Sequence, residues 1–115
     1  MPRATRPISW VTAALKDFRA FPEGAQSICL AALTIAAEGG KADVSKPLHG
    51  LGAGVFEVAI AYKGDAFRVV YAVQLGEELW VVHAFKKKSS QGTRTPKHEI
   101  DLVRDRLKRL KEAVK

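Results

Sequence analysis

The chain has 115 residues, of which 47% are hydrophobic and 27% are charged, a composition that excludes wholesale disorder and predicts one folded domain over residues 1–115. No apolar stretch has the length of a membrane span, and residues 1–9 lack the apolar core of a signal peptide. Cys29 is the single cysteine, so no internal disulfide can form. We therefore expect a cytoplasmic protein without membrane contact.

The net charge of +7 is carried by the end of the chain. Residues 1–85 contain eight Lys or Arg and eight Asp or Glu, which cancel, whereas residues 86–115 contain eleven basic and four acidic residues. Such an asymmetry is typical of a surface that meets a polyanion. The alternative interpretation is a basic helix surface that only keeps the protein soluble.

The first part of the chain predicts a short strand and two helices. Residues 8–11 form an apolar run that suits an edge strand. From Thr12 onward, apolar residues recur at spacings of three and four, which predicts a short helix with Thr12 as its N-cap. Pro22 is placed to begin a second, alanine-rich helix that ends at Gly39-Gly40. We expect the two helices to form a hairpin on one face of a sheet.

Three apolar runs, residues 55–62, 67–73 and 79–88, then predict an antiparallel β-meander with short turns. The glycine-containing segment before them, residues 41–54, is predicted to be a loop that Leu48 and Leu51 attach to the core.

Alternation along the first two runs assigns their faces. The large apolar residues should face the helical hairpin, which puts Glu57 and Arg68 on the open face of the sheet. The third run is apolar at both parities, so the pattern does not assign its faces. It does predict that His83 and Lys87 share one face.

After a polar linker, Thr95 and Pro96 predict the cap and first turn of a last helix. Its apolar positions, 100, 103, 107, 110 and 114, form one stripe, and most of the remaining surface is basic. The predicted fold class is therefore α+β. An N-terminal helical hairpin packs on a three- to four-stranded antiparallel meander, and a basic amphipathic helix ends the chain.

Four segments of the second half carry a resemblance to a known family: K-P-L-H-G-L-G-A-G-V-F-E (46–57), F-R-V-V-Y (67–71), H-A-F-K-K-K-S (83–89) and T-P-K-H-E-I-D-L-V-R-D-R-L (95–107). In this order and spacing they resemble the RelE/ParE toxin superfamily, in its HigB-like, phage-derived host-killing branch. The resemblance implies the toxin of a type II toxin–antitoxin system. RelE and HigB members cleave messenger RNA, usually in the ribosomal A site, whereas ParE members inhibit DNA gyrase.

The resemblance also implies the partners. A HigA-like helix-turn-helix antitoxin should bind the toxin and repress the shared promoter, and higher oligomers should form only through that complex. Messenger RNA and the ribosome are the expected targets. A gyrase-binding toxin without enzymatic activity, or a member that binds RNA or a partner and has lost cleavage, are the alternatives.

RNA cleavage without a metal needs a base for the 2′-hydroxyl proton, cations for the phosphate and an acid for the 5′-oxygen. The sequence has no cluster with metal-ligand spacing and no glycine-rich phosphate loop before a helix. We therefore expect an endoribonuclease that uses neither metal nor cofactor.

By the resemblance, Arg68 grips the scissile phosphate and Lys87 does the same work from the end of the last strand, with Lys86 and Lys88 beside it. The structural alternatives are a cross-strand pair between Arg68 and Glu57, and a charged strand end that blocks edge pairing.

The general base is open between several residues. Some relatives carry lysines in the first meander strand, where this chain has Glu57 and Ala59; Glu57 either acts as base or orients Arg68. His83 is either an acid or base or a hydrogen-bonded core residue. His49, in the loop before the strands, and Arg94, before the last helix, are further candidates for RNA binding.

Overall fold

The computed structural model describes residues 5–87 and 94–114, which contain five strands and three helices. In chain order these are β1 (Ile8–Trp10), α1 (Thr12–Arg19), α2 (Glu23–Ala37), β2 (Ser45–Pro47), β3 (Val55–Tyr62), β4 (Asp65–Leu75), β5 (Glu78–Lys87) and α3 (Lys97–Ala113). The predicted α+β class is confirmed, with two helices before the meander and one after it. Within the described residues, no helix is both long enough and apolar enough to cross a membrane.

The strands form one sheet in the order β1-β5-β4-β3-β2. Strands β3, β4 and β5 make the predicted antiparallel meander. The edge strand predicted at residues 8–11 is confirmed as β1, but it pairs parallel with β5, and residues 45–47 of the predicted loop form the other edge strand, antiparallel to β3. The expectation of a three- to four-stranded, wholly antiparallel sheet is therefore wrong. The three residues of β2 carry no apolar alternation that would mark a strand, and the direction in which β1 pairs is decided by tertiary packing.

A two-residue turn sets the register of the meander. Lys63 and Gly64 both have positive φ, at 50° and 86°, the combination that matches the twist of a tight hairpin. The turn pairs Tyr62 with Asp65, and the register that follows places Ala59 opposite Arg68.

Helices α1 and α2 pack on the face of the sheet that alternation predicted. The large apolar residues of β3 and β4 lie there, among them Val58, Ile60, Phe67, Val69 and Tyr71. Aromatic contacts join the helices to this face. The ring centroids of Phe18 and Phe21 are 5.4 Å apart, and those of Phe21 and Phe67 are 4.7 Å apart.

The opposite face, predicted to be open, is partly covered by α3. The apolar stripe of this helix packs on one end of the sheet, in a second core built from Leu51, Val55, Val70, Ala72, Leu75, Val82, Val103, Leu107 and Leu110. Those strand residues come from the start of β3, the end of β4 and the first part of β5. The other end of the same face lies beyond this core.

A β-bulge in β5 explains why the third apolar run has no clear alternation. Tyr71 pairs with Val81, but the next residue, Val70, pairs with His83, so Val82 is an extra residue in the strand. Because of the bulge, the residues of β5 after Val82 point to the faces opposite to those that simple alternation from Val81 would give. His83 and Lys87 share a face, as predicted, and the register places Arg68 and Glu57 on that face as well.

The helix ends correct two details. Val11, and not Thr12, occupies the N-cap of α1, and no side chain caps that helix. Pro22 occupies the N-cap of α2, one residue before the position expected for it. The predicted stop at Gly39-Gly40 is confirmed, because Gly39 has a φ of 94° and its N–H donates to the carbonyl of Ala36 at 3.0 Å.

Candidate active site

The end of the sheet beyond the α3 core carries charged residues around a floor of alanines. Ala59 and Ala61 on β3 and Ala66 on β4 have side chains that point to this face, and none of the three is fully buried. A methyl group rises little above the backbone, so these three side chains fill little of the space over the sheet. We call these three positions the alanine trough.

Glu57 and Arg68 form an ion pair at the inner end of the alanine trough. The distance from Arg68 Nε to Glu57 Oε1 is 3.7 Å, and the two residues are 7% and 0% exposed. The register makes them diagonal neighbours, since Arg68 lies opposite Ala59, two residues beyond Glu57. Both charges are withdrawn from water, so each depends on the other and on its remaining contacts.

Thr95 supplies one of those contacts. Its hydroxyl donates a hydrogen bond of 2.5 Å to Oε2 of Glu57, across 38 positions of sequence. Thr95 was predicted to cap α3, but Pro96 occupies the N-cap and no side chain caps the helix. The hydroxyl therefore connects the residue just before α3 to the carboxylate of the site.

Lys87 lies at the outer end of the same face. It pairs with Ala66 across β4 and β5 and is 2% exposed. Burial lowers the pKa of the Lys87 ammonium, the positive charges of Arg68 and Lys46 lower it further, and Glu57 opposes them. Arg68 and Lys87, predicted as the central cations of the site, thus act on one another electrostatically.

Lys46 is a member of this group that the sequence did not reveal. It lies on β2 directly opposite Glu57, on the same face, and its side chain is exposed. Local patterns identify neither Lys46 nor Thr95. Lys46 lies in a segment predicted to be a loop, and Thr95 was predicted to be a helix cap. The group therefore combines three cations with one carboxylate.

His83 is buried on the same face but belongs to a separate, partly buried network. Arg106 Nη1 donates to the carbonyl of Val82 at 3.0 Å and lies 3.1 Å from His83 Nδ1, and His83 Nε2 lies 2.7 Å from Glu99 Oε1. A guanidinium can only donate, so Nδ1 accepts and Nε2 carries the proton that it donates to Glu99. The network joins β5 to α3, and the His83 ring stacks on Phe85 with centroids 5.0 Å apart.

The remaining predicted residues are spread over the surface. Lys86 has the opposite parity to Lys87 and forms an exposed ion pair with Asp65 at 3.2 Å. His49 lies in the exposed turn after β2, and Arg94 is exposed just before Thr95. Lys88 lies outside the described residues. The structure therefore brings together Arg68, Lys87 and Glu57, and places Lys86 on the other face.

Comparison with known proteins identifies the class of fold first. The structure is similar to a free-state arginine-to-alanine double mutant of the E. coli toxin RelE, with a TM-score of 0.62, 15% sequence identity, and coverage of 91% of this chain and 97% of the other. Isolated E. coli RelE has a TM-score of 0.58 and 17% sequence identity, and the match covers 87% of this chain and 97% of the other. A chain of the RelBE2 toxin–antitoxin complex from Mycobacterium tuberculosis has a TM-score of 0.50 and 18% sequence identity, and the match covers 73% of this chain and 93% of the other. The fold is that of the RelE toxins.

The family follows from the sequence. Residues 16–108 match the family described as "Phage derived protein Gp49-like (DUF891)", so the chain belongs to it. None of the curated protein sequences is significantly similar to the chain. Family and fold together confirm the predicted relationship to RelE-type toxins. Membership of the HigB-like branch stays a prediction.

Proposed function

We propose that the chain is the toxin of a type II toxin–antitoxin system and cleaves messenger RNA at the ribosome without a metal ion. The observation that carries the proposal is the convergence of Arg68, Lys87 and Glu57 at one end of one sheet face. The fold shared with RelE and the excess of basic residues after position 85 support it.

In this proposal the two cations hold and stabilise the phosphate. The planar guanidinium of Arg68 contacts two phosphate oxygens, for which its fork geometry is suited, and Lys87 neutralises charge that develops in the transition state. The burial of both groups strengthens these interactions, because little water competes for them.

Glu57 is the proposed base and Lys87 the proposed acid. Glu57 takes the proton of the 2′-hydroxyl, the 2′-oxygen attacks phosphorus, and the bond from phosphorus to the 5′-oxygen breaks. Lys87 gives its proton to the departing 5′-oxygen, and its lowered pKa makes that transfer easier. The products are a 2′,3′-cyclic phosphate and a 5′-hydroxyl.

The hydroxyl of Thr95 occupies the hydrogen-bonding position on Glu57 that the substrate hydroxyl would take. It donates to Oε2 of Glu57, which is where a 2′-hydroxyl would donate. Binding of RNA would exchange one hydroxyl donor for another, at little net cost in hydrogen bonding. His83, fixed between Glu99 and Arg106, is assigned a positioning role that holds α3 against β5.

The proposed partner is a HigA-like helix-turn-helix antitoxin with an acidic segment that covers the cations. One of the similar folds was solved in a toxin–antitoxin complex, which supports a partner of this kind. The proposed location is the cytoplasm, where ribosomes and translated messages are found.

The test is induced expression in a bacterial host, with growth curves and primer-extension mapping of transcripts. Wild type is compared with Arg68→Ala/Lys87→Ala and with the control Lys16→Ala, an exposed lysine of α1, on the other side of the sheet. We expect discrete cuts within translated messages for wild type and control, and none for the double variant. Growth arrest without cuts would refute the nuclease and point to gyrase, and cuts that persist in the double variant would refute the site.

A further inference from the structure

Lys46 is the charged residue of this face that the proposed mechanism does not use. The pairing of β2 with β3 places it directly opposite Glu57, and residues that pair directly across two strands project to the same face. The side chain is exposed, and within residues 5–87 and 94–114 no carboxylate lies within ion-pair distance of it. Its charge is therefore available to a ligand.

Lys46 and Lys87 lie at opposite ends of the alanine trough. β2 pairs with residues 56–58 of β3, which places Lys46 beside Glu57 at the inner end, whereas Lys87 lies opposite Ala66 at the outer end. The strand order also separates β2 and β5 by three strand spacings, which is about 14 Å. Arg68 lies opposite Ala59, between the two ends, so cations lie at both ends of the trough and within it.

We propose that Lys46 binds a phosphate of single-stranded RNA that lies along the alanine trough, at the end opposite Lys87. The proposal rests on the proposed function, since it takes RNA as the ligand. Three cations and one carboxylate leave a net charge of +2 on this patch, and a backbone that brings one negative charge per nucleotide balances it. The small alanine side chains let a strand lie close to the sheet, whereas larger side chains there would hold it away from the cations.

The field of Lys46 already reaches across the trough. Its positive charge contributes to the lowered pKa of Lys87, together with burial and the charge of Arg68. The two lysines therefore repel one another across the floor, and an anion between them relieves that repulsion.

The binding test uses a fluorescein-labelled single-stranded RNA of mixed sequence in which every 2′-hydroxyl is methylated, so that it cannot be cleaved. Fluorescence anisotropy gives the dissociation constant over a series of salt concentrations. Loss of one phosphate contact lowers the slope of log affinity against log salt by about 0.7 for a single strand. We expect this loss in Lys46→Ala, its recovery in Lys46→Arg, and an unchanged slope in the control Lys16→Ala.

Two further readouts address folding and geometry. Ala61→Leu adds bulk at an exposed position of the floor, so the protein should stay folded while RNA affinity falls. Titration of Lys87 by NMR should show a higher pKa in Lys46→Ala than in wild type, because one repelling charge is gone.

The outcomes separate this proposal from the nuclease. A slope in Lys46→Ala equal to that of wild type overturns the role of Lys46, even if wild type cleaves unmodified RNA. A reduced slope with no cleavage by wild type supports Lys46 and refutes the nuclease. Failure of wild type to bind the methylated RNA at any salt concentration overturns the proposal, because it names RNA as the ligand.

Discussion

Replacement of Glu57 by Gln and of Arg68 by Met, singly and together, separates the structural from the chemical role of this pair. Gln keeps the shape of Glu57 and can still accept the hydrogen bond from Thr95, and Met approximates the length of Arg68 without its charge. The four proteins form a double-mutant cycle.

The magnitude follows from the geometry of the pair. Charges 3.7 Å apart interact by about 4.5 kcal/mol at an effective dielectric constant of about 20, which is more than double-mutant cycles usually measure. Removal of one partner of a buried pair leaves the other charge uncompensated, so each single variant should lose about 3–5 kcal/mol of unfolding free energy. The double variant removes both charges, and we expect a coupling energy of about 2 kcal/mol.

Urea unfolding followed by circular dichroism measures the four free energies, with m-values that check that unfolding stays two-state. All three variants should also fail to cleave RNA, and the double variant should lose about 2 kcal/mol less stability than the sum of the two single losses. Additive free energies within about 0.5 kcal/mol would refute a coupled buried pair. Retained cleavage in the double variant would instead refute the catalytic role and leave the pair purely structural.

Two further predictions concern neighbouring lysines and the buried thiol. Lys87→Ala should abolish toxicity, whereas Lys86→Ala, on the opposite face, should keep most of it. Loss of the exposed ion pair between Lys86 and Asp65 should cost no more than about 1 kcal/mol of stability. Equal losses of toxicity in the two variants would refute the assignment of the site to one face. Burial raises the pKa of the Cys29 thiol from 9.0 to about 12, so its thiolate fraction at pH 8 should be about 1,000-fold lower than in the unfolded chain. Iodoacetamide labelling in buffer and in urea measures this difference, and equal rates would contradict the burial of Cys29.

The local sequence pattern was sufficient to predict the structure of those helices and strands that have one face on the core. The alternation around Val58 and Val69 assigned the faces of β3 and β4, and the same parity put Glu57 and Arg68 on one face. The stripe of α3 and the glycine stop of α2 were likewise readable, because each depends on residues within one or two turns of helix.

Contacts between distant segments decided the placement of α3 and the faces of β5. Whether α3 covers the second face, and how much of it, depends on packing against β3, β4 and β5, which no helical stripe encodes. The bulge at Val82 inverts a parity that the sequence leaves ambiguous, since both faces of β5 are apolar.

The composition of the site shows the same division. From the sequence alone, Arg68 and Lys87 could be singled out as cations in or beside apolar strands, a conflict with burial that local reasoning detects. Lys46 and Thr95 come to Glu57 by β2 pairing and by a hydrogen bond across 38 positions. Each is an ordinary polar residue in its own segment. Only the tertiary structure makes them part of the site, because proximity between segments far apart in the chain is a property of the packed fold.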